Sequence, residues 1–176
     1  MVRTTDENGP IEAATKRVID LVGGLSSRIS AGQRVLIKPN FVAPVPTAVT
    51  SPDVLRAIVK EIVSIGATPV IGECPGFEFD SEVTFKFLKV RELADEIGAE
   101  FVNLERDEYV ESGFHHPWVK CVRVARLAVE CDAIINIPRM KSHKLTDISL
   151  SIKNCFGLIA KRYRWNRRSK PDQSSH

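Results

Sequence analysis

The sequence predicts an α/β domain: a mainly parallel sheet with helices packed on its faces, either complete or lacking part of its fold. Three observations carry that expectation. Short aliphatic runs, Val35-Leu36-Ile37, Val70-Ile71 and Ala133-Ile134-Ile135-Asn136-Ile137, have the continuity of strands buried on both faces. Between them lie longer stretches whose apolar residues recur at helical period. Glycine, proline and hydroxyl residues mark the junctions, where helices are expected to start and stop.

In chain order, residues 1–10 are polar, end in Gly9-Pro10 and read as a loose leader. Ile11 to about Ile29 reads as helix with Val18, Leu21, Val22 and Leu25 as its apolar face, and Gly23-Gly24 is placed to break it. The first strand, Val35-Leu36-Ile37, ends at Lys38-Pro39-Asn40. Thr50-Ser51-Pro52-Asp53 then has the cap, proline and early acid of a helix start, and Val54, Ile58, Ile62 and Ile65 continue it to Gly66. Thr68 to Ile71 is a second strand, running into Gly72-Glu73-Cys74-Pro75-Gly76. Ser81 is expected to cap a third helix reaching Ile97, followed by a strand at Phe101–Leu104. Glu105 to Trp118 reads as a loop. Val119 to Val124 reads as an extended segment with Lys120 and Arg123 outward, and Arg126 to Cys131 as one helical turn.

The stretch from Ala133 to Leu158 organises the rest. Its aliphatic run is stopped by Pro138, which has no backbone donor for a sheet ladder. Arg139, Lys141, His143 and Lys144 follow at once. Thr146 or Asp147 is expected to cap a helix bearing Ile148, Ser151, Ile152 and Cys155 on one face, beside Lys153 and Asn154 and before Gly157. A strand, a basic loop and a helix start together suggest an anion site; a solvated basic loop is the plainer alternative.

Composition bounds the function classes. The chain has 176 residues, 43% hydrophobic and 27% charged, as a globular domain has. No apolar stretch is long enough to span a membrane, and the opening residues lack an apolar signal core, so the expected compartment is the cytosol. Four scattered cysteines with no C-x-x-C pair argue against an iron–sulfur or structural zinc site, and no metal or cofactor is assigned. The net charge of +3 conceals a basic segment: residues 161–170 hold six Lys or Arg and no acid, leaving the rest mildly acidic. Residues 11–160 are therefore read as one α/β domain, and 161–176 as a basic tail too polar to order itself.

Three segments taken together resemble a known family. Val35-Leu36-Ile37-Lys38-Pro39-Asn40, Ile71-Gly72-Glu73, and the stretch from Ile135-Asn136-Ile137-Pro138-Arg139 through His143 to Ser151-Ile152-Lys153-Asn154-Cys155-Phe156-Gly157 occur in the order and separations of domain of unknown function 362. The resemblance covers roughly residues 11 to 159. It implies no particular reaction. Where that family carries lysine after the proline this chain has Arg139, which keeps the charge without the proton chemistry. Relatives also continue with further strands. The chain is accordingly read as a fragment, a truncated variant or a reduced member.

Ligands of open α/β sheets gather beyond the carboxyl ends of the strands. The residues placed there are Lys38 and Asn40, Glu73 and Cys74, Asn103 and Glu105, and Arg139 through His143, with Lys153 and Asn154 expected to face the same mouth. Lys141, His143 and Glu73 are the candidate catalytic groups; Lys38, Asn40, Arg139, Lys153 and Asn154 are the candidate ligand-binding groups. Glu73 paired with Lys38 or Lys141 is either an acid/base pair or a structural salt bridge. The leading expectation is an enzyme, or the ligand-binding half of one, acting on a small anionic metabolite. A non-catalytic binding or redox-partner module, related to iron–sulfur-associated proteins, is the alternative. Nucleic-acid binding through the tail, where Tyr163 and Trp165 interleave with basic residues, is weaker still. If a second βα half lies elsewhere, an uncovered sheet edge should promote self-association.

Overall fold

The computed structural model describes residues 11–112, 122–143 and 147–161. Its centre is a four-stranded parallel sheet of β1 (Arg34–Lys38), β2 (Thr68–Glu73), β3 (Glu100–Asn103) and β6 (Ala133–Asn136), in the order β3-β2-β1-β6. β1 and β2 are central because their aliphatic side chains can be covered from both sides. Val35 and Ile37 point into a core lined by helices α1 (Ile11–Leu21), α2 (Pro52–Ser64), α3 (Ser81–Phe87) and α4 (Val90–Ile97). Leu36, one residue out of phase, enters a second core with Val70, Leu104, Ala125 and Leu127. That core is roofed by the β4–β5 hairpin (Tyr109–Ser112 with Val122–Ala125), α5 (Arg126–Glu130) and a short terminal segment.

The path of the chain positions the site. From β1 it crosses through α2 to β2 and through α3 and α4 to β3, always in one direction. It then returns to place β6 on the opposite side of β1. The strand order therefore reverses between β1 and β6, the place where an open α/β sheet leaves a crevice at the carboxyl ends of its strands. The pairing Lys38↔Asn136 puts the last residues of both strands at that crevice.

Helix α2 starts as its sequence dictates. Ser51 caps it, its hydroxyl accepting from the Asp53 N–H, and Pro52 occupies the first turn. Leu55, Ile58, Val59 and Ile62 are buried beneath it.

Several expectations are corrected. α1 stops at Leu21, because Gly23 and Gly24 take φ of 94° and 74°, which end the helical ladder. Its buried residue is Ile19; of the expected apolar face Val18, Leu21 and Val22 point outward, and only Leu25, beyond the helix, packs against the core. The third helix is two, divided at Lys89 in the left-handed region (φ 53°), and its cap is Asp80, whose carboxylate accepts from the Val83 N–H. Ser81 instead turns inward and accepts from Asn103 Nδ2. Tyr109–Ser112, expected as loop, is strand β4. Its partner's Arg123 folds back to the Tyr109 carbonyl at 2.6 Å rather than pointing outward. Among the described residues β6 is an edge strand, not one buried on both faces: Ile134 is 42% exposed. Asp147–Ser149 is strand β8, paired antiparallel with β7 (Lys141–His143), so Asp147 caps no helix. The helix after it, α6 (Ser151–Asn154), is a single turn continued by a 3-10 turn at Cys155–Leu158, and Ile152 is 92% exposed. The leader, Lys120, Lys144, Thr146, Tyr163 and Trp165 lie outside the described residues.

Candidate functional site

The mouth of the sheet is built on a buried ion pair. Lys38 ends β1 on the face of Leu36, where it meets no water: it is 1% exposed, and Glu73, ending β2, is 2% exposed. The Lys38 ammonium donates to Glu73 Oε1 at 2.6 Å and to the Pro39 carbonyl at 2.7 Å. Glu73 also accepts from the Cys74 N–H (2.7 Å) on the same oxygen and from the Phe41 N–H (2.8 Å) on the other. Two charges removed from water are tolerable only when so fully matched. The glycine at 157 closes the arrangement: a Cβ there would lie 2.8 Å from Lys38 Cε and 3.0 Å from Glu73 Oε1.

Three asparagines carry the network towards the surface. Asn154 Nδ2 donates to the carbonyls of Lys38 and Pro39 (both 3.1 Å) and to Asn136 Oδ1 (2.7 Å). Asn136 Nδ2 in turn donates to the Ser151 carbonyl and to Cys155 Sγ. With its amide nitrogen so engaged, Asn154 offers its oxygen to Asn40 Nδ2 at 2.8 Å. The Asn40 backbone N–H is held by Thr50 Oγ1, whose own proton goes to the Ile137 carbonyl. The loop after β1, the end of β6 and α6 are thereby tied into one frame.

Lys141 reaches that frame from β7. Its ammonium donates to Asn40 Oδ1 and to the Ala48 carbonyl, both at 2.6 Å. Burial, then the positive charge of Lys153, with Arg139 adding to it and Glu73 opposing, lowers its pKa from the ordinary 10.5 to about 8. Among the described residues no carboxylate lies within ion-pair distance of it, in contrast with Lys38.

Lys38, Asn40, Glu73, Asn154 and Lys141 thus form one continuous hydrogen-bonded cluster. Lys38 belongs to its buried floor, with its amine turned onto Glu73. Lys153 is half-buried on α6, close enough to act on Lys141 electrostatically. Lys141 and His143 share one side of β7, whereas Arg139 stands exposed before the strand. Sequence reasoning passed over Thr50, Gly157 and Asn136 as site residues. Asn136 carries a signal, an amide set into an otherwise aliphatic run; Thr50 is legible only as part of a helix start, and Gly157 only as a helix stop. Asn103 and Glu105, also at a strand end, form a separate corner: Asn103 bonds Ser81 and Glu82, and Glu105 pairs with Lys161 at 2.8 Å. Among the described residues no three His, Cys, Asp or Glu side chains gather into a metal-binding group, and no helix is long and apolar enough to cross a membrane.

Comparison with known proteins bears on the whole chain. Residues 35–175 match the family model described as Domain of unknown function (DUF362), a span that begins at β1 and runs on through the basic segment. A curated relative, the thylakoid-associated protein sll1697 of Synechocystis sp., is 26% identical over 160 residues. That alignment takes in 87% of this chain and 47% of the relative, so the chain spans about half of that protein's length. No solved structure matches.

Proposed function

We propose a function from the site alone, since the chain belongs to the family described as Domain of unknown function (DUF362) and that description carries no role: it is an enzyme, or the ligand-binding half of one, that takes a small anionic metabolite at the mouth of the sheet. The observation that supports this reading best is Lys141. A half-buried amine stands at the reversal of strand order with two neutral acceptors, near Lys153 and Arg139 and without a carboxylate among the described residues. Cations held together in this way repel one another, and an anion relieves the repulsion. Lys141, Lys153 and Arg139 would bind its charge, and His143, on the Lys141 side of β7, would carry protons. Lys38, Glu73, Asn40 and Asn154 would hold the geometry. Glu73, saturated by Lys38 and two backbone N–H groups, suits positioning better than proton exchange.

Calorimetric titration with inorganic phosphate and with small carboxylates tests the reading. Lys141→Ala should weaken binding by about 1.5–3 kcal/mol, the worth of a charge-assisted hydrogen bond, with the circular dichroism unchanged. Equal affinity in the variant, or no binding by the wild type, would overturn it. A cytosolic setting is part of the same proposal. The relative's name associates that protein with thylakoids, and fractionation of the tagged chain decides whether this one follows.

A further inference from the structure

We infer that Lys141 is a nucleophile that condenses with the carbonyl carbon of a small anionic aldehyde or 2-oxo acid to form a Schiff base. The inference rests on the anion-site reading above and gives that site a substrate class. Its ground is the pattern of hydrogen bonds around the amine. Lys141 Nζ has two acceptors, Asn40 Oδ1 and the Ala48 carbonyl, each at 2.6 Å. A neutral primary amine has two N–H bonds to give and one lone pair left over, so this pair of acceptors suits the reactive form as well as the charged one. The acceptors are also uncharged. A carboxylate partner, such as Glu73 provides for Lys38, would hold the ammonium in its unreactive state.

The orientation of Asn40 follows from its neighbours. Asn154 Nδ2 faces only acceptors, namely two carbonyls and Asn136 Oδ1. Its oxygen must therefore face the Asn40 amide nitrogen, which leaves Asn40 Oδ1 for Lys141. The buried frame thus aims an acceptor at the amine and limits its swing. The charged groups acting on Lys141 are Lys153 from α6, Arg139 from the segment before β7 and Glu73 from β2, and burial combines with them to bring its pKa to about 8. Near that pH roughly half of the side chain is the free amine, against well under a tenth for an ordinary lysine.

In the condensation the nitrogen lone pair attacks the carbonyl carbon, and the carbonyl π pair moves to oxygen, which takes a proton from solvent. The nitrogen then loses a proton, the hydroxyl leaves as water after a second protonation, and a protonated C=N bond remains. Amine, carbonyl compound and one proton from solvent give iminium and water, with no change of oxidation state. Arg139 and Lys153 would hold the ligand's carboxylate.

The full chain is incubated with glyoxylate and sodium cyanoborohydride, which reduces only the iminium, and the sites of carboxymethylation are mapped by peptide mass spectrometry. Lys141 should label roughly tenfold faster than the average of the other lysines, along a pH curve centred near 8, and saturating phosphate should slow it. Lys141→Arg, which keeps the charge, should lose the fast-labelling site. Labelling spread evenly over the lysines would overturn the inference; if phosphate still binds calorimetrically, the anion site survives as a non-covalent one. Loss of both signals removes both readings. Should Lys141→Arg fail to fold, the wild-type map still decides.

Discussion

At the scale of single residues, two lysines with the same side chain are placed in opposite environments. Lys38 is buried against a carboxylate, and Lys141 is half-buried against two neutral oxygens. Removing one member of the first pair strands a charge in the core. Lys38→Met or Glu73→Leu should therefore lower the unfolding free energy by about 3–5 kcal/mol, while the two combined should recover much of the loss. Urea denaturation measures both; an additive double variant would show that the ions are not coupled. Lys141 gives a signal of a different kind. Unfolded it titrates near 10.5, and folded near 8. Between those values the unfolded chain still binds a proton that the native state has released, so the group adds stability as pH rises. Below about pH 8 both states are protonated, and the buried charge is a cost. The full shift would correspond to about 3.4 kcal/mol, which solvent around a half-exposed group reduces to on the order of 1 kcal/mol. From pH 8 to 10.5 the wild type should gain that much relative to Lys141→Met, and parallel stability curves would contradict the lowered pKa.

Among the elements, the junction between α3 and α4 holds the clearest strain. Lys89 sits at φ 53° and ψ 43°, a region that costs a residue with a Cβ about 1–2 kcal/mol. Glycine avoids that cost but loses more entropy on folding, about 0.5–1 kcal/mol. Lys89→Gly should be stabilising by about 0.5 kcal/mol, read as a small rise in melting temperature; a fall would mean that the lysine side chain contributes packing there. Asp80 and Ser81 illustrate how an N-cap is misread by one position. Both are capping residue types in adjacent places, and the choice is made by Asn103, whose amide draws the Ser81 hydroxyl inward. In the same way Asp147, a plausible cap by type, is used in a hairpin because Lys141, Ser142 and His143 are available to pair with it and its neighbours.

For the whole molecule, the asymmetry of the sheet is the main consequence. Among the described residues β6 has a neighbour on one side only, and Ile134, Ile148, Leu150, Ile152 and Phe156 are exposed near the end of the described chain. Exposed strand edges with apolar side chains favour association. A concentration-dependent dimer or larger species is expected in size-exclusion chromatography, and Ile134→Lys should shift it towards monomer. A monomer at every concentration in the wild type would mean that the edge is protected.

The sequence by itself determined the α/β class, the helix from Pro52 with its Ser51 cap, the positions of the central strands and the charged and amide residues at their ends. Each of these depends on a local property: an uninterrupted aliphatic run, a helical repeat, or a charged residue directly after a strand. Tertiary structure decided the rest. No local property distinguishes Lys38 from Lys141, because the difference is whether a carboxylate from β2 or an amide from the β1 loop comes to meet the amine. Nor does the aliphatic run at Ala133 announce the exposure of Ile134, since that depends on the return of the chain to the far side of β1. Gly157 must be glycine only because Lys38 and Glu73, more than eighty residues earlier in sequence, lie directly beneath it. Local sequence sets which conformations a segment can adopt, but burial and charge pairing are properties of neighbours that only the folded chain brings together.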